Sequence, residues 1–396
     1  MRADWSLMPL GDLIDQDGGS VKTGPFGTML KADEYAAQGG VPVISVGEIG
    51  QGELRVGPNT PRVGPQTVGR LPEYVLQAGD IVFARKGAIE RTARVKRSED
   101  GFFLGSDGIR LRLADPILAR FLAYQLMSAQ SQAWLRHHAG GSTMPSLNQS
   151  IIGRIPVVVP PLQEQIDIAR VLGLLDDLVD TNRRSIAQIR HLGRTTFESL
   201  LAECDVQNLG DVAVVNPETT KPKPDGSLTY LDIAGVGDGT LRFVGPISWR
   251  DAPGRARRLV DIGDTVWSTV RPNRRAHALI LNPPRDLVVS TGLAVLRGTE
   301  VGPATLFAAV DRPEFVDHLV RRAEGSAYPA VRPNVFLQVP IPVPTGATRQ
   351  RFEELMWPQW QWAGELSSEC DLLIRTRDQL LPLLMSGRVV PGAVAS

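Results

Sequence analysis

Two stretches of this chain place apolar residues at gaps that alternate strictly between four and three, the pattern of one face of a paired helix. The first runs Ile168, Leu172, Leu175, Val179, Asn182, Ile186, Ile189, Gly193, Thr196, Leu200. The second runs Phe352, Met356, Gln359, Ala363, Leu366, Cys370, Leu373, Arg377, Leu380, Leu384, each 184 residues after its counterpart. Pro160 and Pro161 stand before the first stretch and suit a helix start. A helix of this length reaches roughly 55–65 Å at 1.5 Å per residue, more than one domain core needs. One polar residue interrupts each seam, Asn182 and Arg377, where it can fix register or partner choice. Pro358 predicts a kink near the start of the second helix.

The offset extends into the segments between the helices. Gly79-Asp80 matches Gly263-Asp264, Ser106–Ile109 matches Ser290–Leu293, Gly141–Leu147 matches Gly325–Val331, and Ile155–Val157 matches Val339–Ile341. Leu10-Gly-Asp12 and Leu209-Gly-Asp211 continue the match after short indels. The chain is therefore a tandem duplication of a globular unit followed by a long helix. Within a unit, alternating and β-branched runs predict strands at Pro42–Val46, Asp80–Ala84 and Gly108–Leu113, and at Thr229–Ile233, Asp264–Thr269 and Leu293–Leu296. A helix is expected over Pro116–His137 and Gly302–Glu324, then a Gly-Ser loop and a short apolar strand, Ile155–Val159 or Val339–Val343. The fold class is mixed α/β (α+β).

At 396 residues, two domains and connecting helices are the natural expectation. Charge is balanced, 43 cations against 43 anions, which argues against a protein that coats nucleic acid non-specifically. Only six cations are Lys. The Arg bias fits bidentate recognition of phosphate and guanine, and fits a GC-rich genome equally. Cys204 and Cys370 both fall on the expected helices and indicate no disulfide framework or zinc spacing. With no long apolar leader or span, a soluble cytoplasmic protein without membrane contact is expected.

Cations gather on loops that correspond between the units. Arg85, Lys86, Arg91, Arg94, Lys96 and Arg97 follow one expected strand; Arg271, Arg274 and Arg275, with the neutral Asn273 among them, follow its equivalent, and Arg250, Arg255, Arg257 and Arg258 precede it. Such clusters read as two copies of a phosphate-facing or base-reading surface, or as solvated loop faces. Lys22, Thr23 and Phe26 sit in a Gly-rich loop that allows close approach to a phosphate, or forms a plain turn. Ser142 and Thr143, with Ser326 and Tyr328 in the equivalent loop, admit the same two readings.

Catalytic signals fail on inspection. Gly235–Gly239 has nucleotide-loop spacing, but the extended-looking Thr240–Val244 follows where a helix is required. Asn282-Pro-Pro-Arg285 lacks the aromatic that would hold a flipped base. Pro224-Asp225 has no downstream Lys to complete a nuclease motif, and His137-His138 reads as a helix end. No serine–histidine constellation is present in the sequence. The chain reads as non-catalytic, with no metal and no cofactor of its own.

Pro160-Pro-Leu-Gln-Glu-Gln165, Leu175-Asp-Asp-Leu-Val-Asp-Thr-Asn-Arg-Arg184 and Phe197-Glu-Ser-Leu200 resemble the central conserved region of type I restriction–modification specificity subunits. Leu10–Asp12, Gly24-Pro-Phe-Gly27, Gly79–Ile81 and Gly141–Thr143 also match features of that family, and the duplication extends the resemblance over essentially the whole chain. In the second half Gly346–Gln350 replaces the Pro-Leu-Gln-Glu-Gln run, so Glu164 and Gln165 have no clear counterparts.

The resemblance implies two target recognition domains, residues 1–160 and 205–345, joined and flanked by a central helix over 161–204 and a distal helix over 346–390. It implies that these helices pack antiparallel about a pseudo-twofold axis and act as a ruler between two DNA half-sites. Each domain would read one half-site of double-stranded DNA. Two methyltransferase subunits would dock on the helices, bringing S-adenosylmethionine, and motor-nuclease subunits would bring ATP and magnesium. Glu164, Gln165, Leu172, Leu175, Val179, Asn182, Ile186, Ile189, Leu366, Leu373 and Leu380 are the expected seam and docking residues. Rival readings are the specificity module of a type IIB-like restriction–methylation enzyme and a coiled-coil scaffold that does not bind DNA.

Overall fold

The computed structural model describes residues 2, 4–36, 39–57, 59–141, 144–223, 225–325 and 328–391. Two units are present: Met1–Leu178 with Leu373–Ser396, and Val179–Leu372. The division falls inside the two long helices, so each unit takes a share of both. The sequence pattern alone sets the helices apart as segments of their own.

The first unit is built on an antiparallel sheet in the order Ser20–Thr23, Gly108–Arg112, Ile81–Ala84, Thr92–Arg94. Its central strands are buried on both sides: Ile81 and Phe83 face the packed helices, while Val82 and Ala84 join a second core with Val43, Ile44 and Phe103. That alternation is the period-2 pleat of a strand between two layers. The second layer pairs Val41–Ile44 in parallel with Phe103–Leu104. A two-stranded ribbon, Ser6–Pro9 with Pro156–Val159, leads the chain into the first long helix.

The second unit repeats this plan. Its main sheet is ordered Ala213–Val215, Leu293–Gly298, Thr265–Ser268, His277–Leu279. Its second sheet again contains a parallel pair, Ser227–Leu231 with Leu287–Ser290. Cys204–Asn208 pairs with Pro340–Pro344 as the ribbon.

The turn before the central strand shows why Gly-Asp recurs. Gly79 and Gly263 have φ of 101° and 94°, a region closed to residues with a Cβ. Each following carboxylate closes the turn: Asp80 accepts from the Gln77 amide at 2.8 Å and Asp264 from the Asp261 amide at 2.7 Å. Both aspartates are buried, and each takes a two-pronged guanidinium from the neighbouring strand: Arg112 at 2.7 Å on both oxygens, Arg297 at 2.8 Å on both. A buried carboxylate held this way is tolerated because its charge is matched and its lone pairs are filled.

The long helices run Leu162–Ser199 and Gly346–Met385. Every seam position named from the sequence is buried or half-buried along them. In the first unit Ile168 and Leu172 share a core with Leu381 and Leu384. In the second, Asn182 donates to Glu369 at 2.9 Å and Phe197 meets Phe352 edge-on at 5.3 Å. In both, rising numbers on one helix meet falling numbers on the other, so the pairing is antiparallel.

Three local expectations need correction. The helix expected over Pro116–His137 is two, Pro116–Leu126 and Ala129–His138, because the Ser128 hydroxyl accepts from the Ser131 amide and caps a new start. Pro303–Val310 and Pro313–Arg321 are likewise separate, Pro313 occupying the first turn of the second helix. The first long helix stops at Ser199, and Cys204 opens a strand instead of lying on a helix. The second long helix continues through Pro358 without a break.

Candidate nucleic-acid interface and helix faces

In the first unit, three loops meet at one end of the main sheet. Gly24 donates its amide to Gly108 at 3.0 Å, and a Cβ at Gly24 would overlap the Gly105 carbonyl. This close approach turns the Gly24–Gly27 loop outward and leaves Phe26 58% exposed. Arg85 lies over the Phe26 ring, 5.6 Å from its centre, and donates to the Ser106 carbonyl at 3.2 Å. The chain after Arg85 pairs with the Gly-Ser loop: Leu147 donates to Arg85 O at 2.8 Å and Gly87 to Pro145 O at 3.0 Å. Lys86 is exposed beside Asp107, 3.2 Å away.

The second unit assembles the equivalent loops. Val331 donates to Thr269 O at 2.7 Å and Arg271 to Pro329 O at 2.7 Å. Arg271 again lies over an exposed aromatic, Tyr328, at 4.6 Å; that ring is 70% exposed. Asn273 and Arg274 are exposed on the short turn beyond it. Both units thus present a guanidinium stacked on an exposed ring, although the ring comes from a different loop in each. Such a pair offers a cation to phosphate and a flat face to a base or sugar.

The remaining candidates separate by environment. Lys22 sits 4.8 Å above the Tyr74 ring and 3.8 Å from Glu73, and Thr23 accepts from Gln149 at 3.3 Å. Arg91 closes the hairpin through its carbonyl, which accepts from Ala84 at 3.0 Å. Arg94 is half-buried beside Arg120, and burial with that like charge pushes its pKa down. Arg250 and Arg255 are exposed; Arg257 is half-buried and donates to its neighbour's carbonyl, Ala256 O, at 2.6 Å. Arg258 is buried and donates to Leu293 O, so its guanidinium serves the unit's own packing and leaves the solvent-facing set. Arg275 also turns inward, toward Asp311. Ser142, Thr143 and Ser326 lie outside the described residues.

Sequence reasoning missed the strongest charge cluster. The Asp311 carboxylate, between the Pro303–Val310 and Pro313–Arg321 helices, accepts from four side chains. They are His277 at 2.8 Å, Arg275 at 2.9 Å, Arg194 at 2.9 Å and Arg190 at 3.0 Å. Asp238 pairs with Arg190 and lies 3.7 Å from Arg275. Burial alone would raise the Asp311 pKa; the bonds from His277 and the guanidiniums outweigh it and hold the carboxyl below its ordinary range. Asp238, His277 and Asp311 place ligand atoms within 4.8 Å of one another, but three guanidiniums already occupy the space and charge a cation would need. Arg275 was legible only as one more loop cation, because its partner lies 36 residues away.

On the helices, Glu164 accepts from Arg2 at 3.2 Å and Trp5 at 3.1 Å, and buried Gln165 donates to Pro160 O at 2.8 Å. Both therefore fasten the helix start to the first unit's own chain. Asp176 and Asp177 receive Tyr124 at 2.5 Å and Arg120 at 2.9 Å, and Asp176 also takes Arg377 at 2.8 Å. Glu353 plays a comparable part in the second unit, accepting from the Ala304 and Thr305 amides at 3.0 and 2.9 Å at a helix start.

The seam residues Leu172, Val179, Asn182, Ile189 and Leu366 are buried, and Leu175, Ile186, Leu373 and Leu380 half-buried. Outside the seam, another face emerges: Val171, Leu174 and Leu178 on the first helix, Leu355, Pro358 and Trp362 on the second. These sets are again 184 residues apart, and positions i, i+3 and i+7 share one side of a helix. Leu174 and Leu178 are 60% and 40% exposed, Leu355 and Trp362 51% and 48%. Apolar side chains are thus left open to solvent at matching positions of both helices. Among the described residues, no helix is long and apolar enough to cross a membrane.

Comparison with known proteins agrees with this architecture. A family model described as the type I restriction modification DNA specificity domain matches residues 3–191. The type I restriction enzyme MjaIX specificity subunit of Methanocaldococcus jannaschii is 19% identical over 98% of this chain and 94% of its own length. The MjaVIII specificity subunit of the same organism is 24% identical over 52% of this chain and 48% of its own length. Among solved structures, the type I restriction–modification S subunit from M. genitalium shares the fold with a TM-score of 0.55, at 16% identity over 96% of both chains.

Proposed function

Because the chain belongs to the family of type I restriction–modification specificity subunits, we propose that it is the DNA-reading component of such a complex. Each unit reads one half of a bipartite target in double-stranded DNA. The long helices dock two methyltransferase subunits through their outward apolar faces. Methyl transfer from S-adenosylmethionine, and any ATP- and magnesium-dependent cleavage by motor-nuclease subunits, belong to those partners. This chain contributes recognition and assembly.

The observation that carries the reading is the recurrence, in two units of one fold, of a guanidinium stacked on an exposed aromatic at corresponding loops: Arg85 with Phe26, Arg271 with Tyr328. A repeated sheet with diverged surface loops suits two half-sites of different sequence, since direct readout depends on a few side chains, while phosphate contacts set position.

The test is methylome sequencing of a host with and without this gene. A single bipartite motif should lose its methylation when the gene is removed. The purified assembly should shift DNA carrying that motif with strong salt dependence. A methylome unchanged by the deletion, with no DNA shift, would refute the proposal and favour a scaffold role.

A further inference from the structure

In the second unit the turn that carries Asn273 and Arg274 is flanked by two residues in the left-handed region, Arg271 at φ 51° and Arg275 at φ 53°. Residues with a Cβ seldom adopt it, so surrounding contacts must hold the turn. On the Arg271 side these are the amide bond to Pro329 O and the Tyr328 ring. On the Arg275 side they are two bonds from its Nη2, to the Asp311 carbonyl at 2.6 Å and the Asp311 carboxylate at 2.9 Å.

Asp311 is in turn held by the first long helix, through Arg190 and Arg194. Its remaining neighbour, His277, is buried in the strand next to the turn; the ring's Nδ1 faces Arg275 O at 2.9 Å and its Nε2 faces Asp311 at 2.8 Å. One carboxylate therefore ties helix, strand and loop together.

Among its described residues the first unit has no counterpart to the Asp311 tie. Strand register places Thr92 where the second unit has His277, and the 184-residue offset places Met127 where it has Asp311.

We propose that Asp311 is a positioning residue for target recognition. By fixing Arg275 against helix residues Arg190 and Arg194, it sets the conformation of the Arg271–Arg274 turn, and with it the base preference of the second half-site alone. It contacts no DNA itself. The inference rests on the DNA-reading proposal and adds to it an asymmetry: the first unit also bonds the helix, through Arg120 to Asp177 and Tyr124 to Asp176, but the tie that reaches a reading turn belongs to the second.

The experiment compares methylation motifs in cells carrying the complete system with wild-type chain, Asp311→Asn or Arg275→Lys. Asp311→Asn keeps the shape and removes the charge. Arg275→Lys leaves the bonds of Asp311 to His277, Arg190 and Arg194 in place, so it decides the question if the first variant does not fold. Both should broaden the same half-site, with about tenfold less discrimination at one or more of its positions, and leave the other half-site sharp. A residue that only stabilised the unit would lower methylation evenly at an unchanged motif, and that result in both variants overturns the proposal. A wild-type system without any bipartite motif overturns the DNA-reading proposal, and this one with it.

Discussion

The outward apolar faces of the long helices make a quantitative prediction about assembly. Consider the double substitution Leu174→Ser with Leu178→Ser. Their exposures of 60% and 40% together amount to one whole leucine side chain still open to solvent. Burying that much against a partner is worth roughly 1.5–3 kcal/mol. At 1.4 kcal/mol per decade, affinity for a methyltransferase subunit should fall about ten- to hundredfold. The chain's own stability should fall by up to a comparable amount, roughly 1.5–3 kcal/mol, since the two side chains are together as much buried as exposed, so the fold of the variant is checked by circular dichroism before binding is read. The two exposed apolar residues on the matching face of the other helix, replaced as Leu355→Ser with Trp362→Ser, should act alike at that face. Native mass spectrometry at a partner concentration near the wild-type Kd separates the cases. Either double variant should carry one partner where wild type carries two, and the combined variant none. Two partners bound with unchanged affinity in either variant, or loss of both from one, would refute independent equivalent docking faces.

Other outcomes stem from packing and charge. Asp80→Ala leaves the half-buried Arg112 guanidinium without its carboxylate and a turn amide without its acceptor, and should cost the first unit about 2–3 kcal/mol; Asp264→Ala leaves Arg297 paired with Glu218 and Asp261 and should cost the second unit less, both read by thermal or chemical unfolding, and an unchanged midpoint for Asp80→Ala would contradict the buried pair. Gly24→Ala drives a methyl into the Gly105 carbonyl, so it should weaken DNA binding with little loss of the core, checked by a binding isotherm alongside circular dichroism. The folded Asp311 carboxyl titrates below its ordinary range, so its stabilisation is present above about pH 4 and lost as pH falls below that. The stability gap between wild type and Asp311→Asn should therefore close under acid, and a gap constant from pH 7 to pH 3 would count against the network.

The helices and the duplication were readable because their signal is periodic and local. A seam of alternating gaps survives any ignorance of partners, and ten positions at one offset leave little room for coincidence. Strand centres such as Ile81–Ala84 were readable for the same reason. Element ends were less so: Ser128 and Pro313 restart helices through caps that propensity alone does not distinguish from a continuing turn. The candidate interface was half legible. Loop cations could be named, but whether a given arginine faces water or a carboxylate depends on strand register and on residues far along the chain. Arg271 lies over Tyr328 57 positions away, Arg275 meets Asp311 36 positions away, and Arg258 ends on a backbone carbonyl 35 positions away. Asp311 itself sat in an apolar run between two helices and gave no sign of its four partners. The outward helix faces were present in the sequence at the same offset as the seam, yet only the packing shows which apolar side of each helix is left uncovered.

The two units are unequal as lengths of chain. The second is one uninterrupted run, Val179–Leu372, while the first is closed by two separate stretches, Met1–Leu178 and Leu373–Ser396. The second reader is thus a cassette bounded by two cuts, both inside regular helix, where backbone hydrogen bonding is local and indifferent to the identity of the segment beyond the cut. On the proposed DNA-reading function, exchanging that segment for one from a relative would replace a full half-specificity and leave the other unit's sheet, cores and charge pairs intact. The junctions demand only that the seam keep its alternation of four and three across Leu178 and Leu372. Under that proposal, a gene arranged this way would acquire new DNA targets by trading one contiguous block, with no need to evolve a recognition surface residue by residue.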